Sequence, residues 1–77
     1  MPIDYLSACQ IRAYLAAERA SARAADARAA LPIGSTRARV TTANARWKSA
    51  AEERDRLWSA LSPDDQARAV ELLRGQS

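Results

Sequence analysis

The 77-residue chain contains no histidine and a single cysteine, Cys9. The commonest general base and metal ligand is therefore missing, and one thiol cannot build a zinc or iron–sulfur site. An internal disulfide is excluded, and a Cys9 nucleophile would lack its usual imidazole partner. The two glycines, Gly34 and Gly75, are too far apart to form a phosphate-cradling loop or a dinucleotide fingerprint. Phenylalanine is absent, so the aromatic bulk is limited to Tyr5, Tyr14, Trp47 and Trp58. No stretch approaches the ~20 apolar residues that a membrane span requires. Met1–Leu6 carries no basic segment and no long apolar run follows, so no signal peptide is expected. These absences lead us to expect a cytoplasmic chain with no membrane partner, no cofactor, no metal, no small-molecule substrate and no catalytic activity.

What the chain has instead is alanine and arginine. Nineteen alanines accompany eighteen larger apolar residues. This gives helix propensity nearly everywhere and little bulk for a core. Arginine outnumbers lysine eleven to one, and the net charge is +3. The charge is uneven: residues 23–48 carry +5, from Arg23, Arg28, Arg37, Arg39, Arg46 and Lys48 against Asp26 alone. A chain this short is expected to form one domain, residues 1–77, with a thin, elongated core.

The pattern predicts an all-α fold: a long antiparallel helical hairpin over about 4–31 and 36–61, then a short C-terminal helix over about 64–74. In the first segment Ile3, Leu6, Cys9, Ala13, Ala17, Ala20, Ala24, Ala27 and Leu31 all fall within roughly 60° of Leu6 at 100° per residue, and read as the buried face. On that face Cys9 reads as an inert, buried thiol. Asp4 is the expected N-cap, with Ser7 a competitor. Pro32 and Gly34 break the helix, and a break this short makes the flanking helices antiparallel neighbours. Ser35 or Thr36 can cap the second helix. Its predicted inner face holds Val40, Ala43, Trp47, Ala50, Ala51, Leu57, Trp58 and Leu61. The β-branched run Val40-Thr41-Thr42 is its weak point and leaves a later start, near Thr42, open. Ser62-Pro63-Asp64-Asp65 is a strong helix start: a cap, proline at the first helical position, and carboxylates at the positive end. In the third helix Ala67, Val70, Leu73 and part of Leu72 are predicted to face inward.

Several residues admit two readings. Trp47 and Trp58 share a face three turns apart and read as core, with Trp58 the better candidate for a partner anchor. Arg54 lies on the apolar face of the second helix, where either a helix-one acid such as Glu18 pairs with it or the face is partly open and Arg54 meets a partner. Glu52, Glu53 and Asp55 sit among Lys48, Arg54 and Arg56 and read as ion-paired surface. A second apolar strip on helix one, Ala8, Ile11, Leu15, Ala22 and Ala29, is either covered by the third helix or open for a partner or a second copy. The hairpin should gather Arg23, Arg28, Arg37, Arg39 and Arg46 at its tip, with Lys48 further along, as a cluster that attracts acidic protein surface or phosphate.

Together these features predict a small, non-catalytic helical module that binds a protein partner, with homodimerisation possible. A bacterial or phage regulator or inhibitor docking on a larger machine fits this type. An anti-CRISPR role would be one instance, suggested by size and composition alone. The candidate partner-binding residues are the basic tip (Arg23, Arg28, Arg37, Arg39, Arg46, Lys48) and the apolar strip (Ile11, Leu15, Trp58). The alternative is a nucleic-acid-binding accessory protein using the same basic tip; no aromatic interleaves those cations, which weakens a base-stacking mode.

Overall fold

The computed structural model describes residues 5–75, and three helices account for most of them: α1 (Tyr5–Ala29), α2 (Arg37–Ala60) and α3 (Pro63–Gly75). No strand occurs among the described residues. α1 and α2 form the long hairpin, and α3 folds back onto α1. No helix is long and apolar enough to cross a membrane among the described residues.

Local chemistry sets the boundaries. The Pro32–Ser35 turn closes with Ser35 N–H donating to the Pro32 carbonyl at 3.1 Å and the Ser35 hydroxyl at 2.6 Å. Its third position must adopt positive φ, and Gly34 does so at 89°. Thr36 then caps α2, its Oγ1 accepting from Arg39 N–H at 3.2 Å. The helix runs straight through Val40-Thr41-Thr42, so the later start is not adopted. At the next junction Ser62 Oγ accepts from Asp65 N–H at 3.2 Å, with Pro63 at the first helical position and Asp64 and Asp65 in the first turn. Because α1 already begins at Tyr5, Ser7 is inside the helix and does not cap it; Asp4 lies outside the described residues.

The core is small and sits at one end. Ile11, Tyr14, Leu15, Leu61 and Ala69 are buried, with Leu57, Trp58 and Leu73 packed against them. This corrects the predicted buried face of α1. Leu6 is 66% exposed, Ala13 and Ala27 are exposed, and Cys9 is only half-buried. The chain buries Ile11 and Leu15 of the second strip and the neighbouring Tyr14 instead, leaving Ala22 and Ala29 exposed, because the three larger side chains offer far more removable apolar area than alanines do. In α3 Leu73 packs on the core and Val70 is half-buried as predicted, but Ala69 is fully buried whereas Ala67 and Leu72 are exposed.

A polar cluster sits beside this core. Tyr14 OH donates to Glu18 Oε2 at 3.1 Å, and Arg54 Nε lies 3.9 Å from the same carboxylate oxygen. Arg54 Nη1 donates to the buried Ser21 hydroxyl at 3.3 Å, and Arg54 also pairs with Asp55 at 3.1 Å. The expected Arg54–Glu18 pairing is therefore present, at the long end of ion-pair distances.

Beyond this cluster the hairpin continues as an arm. Between residues 22 and 50 no side chain is buried. The molecule measures 53 × 23 × 16 Å, with its core at the α3 end and the Pro32–Ser35 turn at the far tip.

Candidate docking surface on the hairpin arm

Alanine-lined helices approach one another closely, and much of one side of the arm is lined by alanine. Ala24, Ala27 and Leu31 of the first arm segment, with Ala38, Thr42 and Ala43 of α2, floor an open trough of about 530 Å³. Arg23, Arg39 and Arg46 line its edges. Among the described residues none of these three guanidinium groups has an ion pair. The site therefore combines an apolar floor with uncompensated positive charge on both helices.

Of the cations expected at or near the tip, Arg23, Arg39 and Arg46 line the trough and the others do not. Arg28 belongs to another depression, lined by Ala25, Arg28, Ala29 and Trp47, none of which lines the trough. There its guanidinium carbon lies 4.8 Å from the Trp47 ring centroid, a cation–π contact. Trp47 is 36% exposed, so the core reading of this residue is corrected: it is a surface platform for Arg28. Arg37, in the first turn of α2, and Lys48 are exposed and line neither depression.

The apolar strip is covered within the chain. Ile11 and Leu15 are 4% and 8% exposed, packed in the cluster that contains Leu61 and Ala69. They are not an open patch, because α3 folds over them. Trp58 is half-buried and meets Tyr14 with ring centroids 5.1 Å apart at 49°. Its aromatic surface serves the core.

The trough floor escaped the sequence reading because Ala24, Ala27 and Leu31 were assigned to the buried face. The signal was nonetheless present: the stripe they belong to runs the length of α1, and its outer flank at helical spacing is Arg12, Arg19 and Arg23. Comparison with protein-family models, curated proteins and solved structures yields no match to this chain.

Proposed function

We propose that this chain is a non-catalytic protein-binding module that docks on a larger protein through its hairpin arm. The observation that carries the reading is the alanine-floored trough edged by Arg23, Arg39 and Arg46 and open to solvent. Arginine is enriched at protein interfaces, where its stem packs and its fork pairs with carboxylates. The apolar floor favours a protein over nucleic acid, since a phosphate backbone gains nothing from alanine and leucine. Action as a regulator or inhibitor follows from this mode: a small chain occupies a surface that a larger machine uses.

The test compares capture from the source cell by the wild-type chain and by a variant carrying Arg23→Glu, Arg39→Glu and Arg46→Glu. All three positions are exposed, so helicity should be unchanged by circular dichroism. A protein retained by the wild type should be lost with the variant. An identical set of retained proteins would sink the reading, as would nuclease-sensitive retention or a mobility shift with mixed nucleic acids at low salt.

A further inference from the structure

At the core end, α1 has neighbours on two sides: α2 along the hairpin and α3 folded back over Ile11 and Leu15. Along the arm it has only α2; on its stripe Leu6, Ala13 and Ala27 stay exposed, and Ala17, Ala20, Ala24 and Leu31 are half-buried. That stripe continues directly into the trough, whose floor contains its last three members. From Leu6 to Ala27 it extends roughly 32 Å at 1.5 Å per residue. Small side chains in such a groove permit an approaching helix to reach the usual interaxial distance of about 8–10 Å.

The edges define the sign of the occupant. On the α2 side stand Arg39 and Arg46, and on the α1 side Arg23, with Arg19 one turn further along the same flank. Resting on the protein-binding reading above, we infer that the arm binds an acidic amphipathic α-helix of another protein. The helix lies along the α1 stripe as the arm's missing third helix, apolar face down, with carboxylates on both flanks meeting the arginines. A second copy of this chain is a poorer occupant. Its arm carries the same +5 between residues 23 and 48, and its α3 is already packed on α1.

The test uses a defined probe: a fluorophore-labelled synthetic helix of about 18 residues, spanning about 27 Å, with leucine at helical spacing and glutamate on both flanks. One control has the same composition reordered to abolish amphipathicity; another has lysine in place of glutamate. The acidic amphipathic probe should bind the wild-type chain, and at least about tenfold more weakly when salt is raised through the range that screens surface charge. The reordered probe should bind at least about tenfold more weakly, as expected if the apolar face contributes a leucine or more of burial. The lysine probe should ignore the wild type and bind the Arg23→Glu, Arg39→Glu, Arg46→Glu variant, a gain that a misfolded variant could not give. Ala27→Trp, which fills the exposed trough without touching the core, should block the acidic probe.

Equal binding of the ordered and reordered acidic probes would overturn the inference, since charge alone would then suffice. So would no binding at low salt, displacement by heparin but not by the unlabelled probe, or a wild-type dimer dissociated by Ala27→Trp. The two readings fail separately. A captured protein that depends on the arm but is not displaced by the probe retains protein binding and rejects the acidic helix.

Discussion

Tyr14 joins the apolar core to the polar cluster. Its ring packs on Trp58 while its hydroxyl donates to Glu18 at 3.1 Å. Burial raises its pKa above 10.0, and the hydrogen bond to the Glu18 carboxylate and its negative charge push the same way. The folded state therefore holds this proton more tightly than the unfolded chain does. The corresponding stability is fully present below pH 10.0 and is lost as pH rises through the folded pKa. Denaturant titrations at pH 9 and 11 should show that loss, and Tyr14→Phe should flatten it while costing about 1 kcal/mol at neutral pH for the hydrogen bond. An equally steep decline in the variant would place the effect elsewhere. Tyr14 was invisible to periodicity because it falls between the two strips of α1. The Arg54–Glu18 pairing was legible, since a charge on an apolar helix face needs a partner and Glu18 lies on the facing helix.

The helix boundaries rest on two junctions at opposite ends of α2. An alanine at Gly34 would meet no atom within 4 Å, so the cost of Gly34→Ala is conformational, about 1 kcal/mol for holding a Cβ at φ 89°. Ser62→Ala removes the α3 cap and should cost about 1 kcal/mol. Because the junctions lie at different ends of α2, the double variant should lose the sum within about 0.5 kcal/mol by chemical denaturation. A markedly non-additive result would show that the tip turn and the α3 cap are coupled. Proline, glycine and the Ser-Pro-Asp-Asp run made these boundaries readable to within a few residues. The buried face of α1 was not readable, for a physical reason. Periodicity says which residues share a face, but bulk decides which face is covered. Nine small or scattered residues formed the longer stripe, yet Ile11, Tyr14 and Leu15 gave α3 more area to bury.

Across the whole molecule, stability should follow the position of the core. Amides of α3 and of the first half of α1 should exchange with solvent slowly, and those between residues 37 and 46 distinctly faster, because local opening there exposes almost no buried surface. Uniform protection along α2 would contradict this division. Binding of an acidic helix along the arm should slow the fast set and leave the slow set unchanged.

The elongation of the hairpin has a practical consequence for anyone weighing this protein. Its Cα radius of gyration is 15.2 Å, against about 11 Å for a compact chain of this length. A gel-filtration column calibrated with spherical standards will therefore report too large a mass, and a lone chain can elute where a pair is expected. Stoichiometry, free or bound, has to come from scattering or sedimentation equilibrium, which measure mass independently of shape.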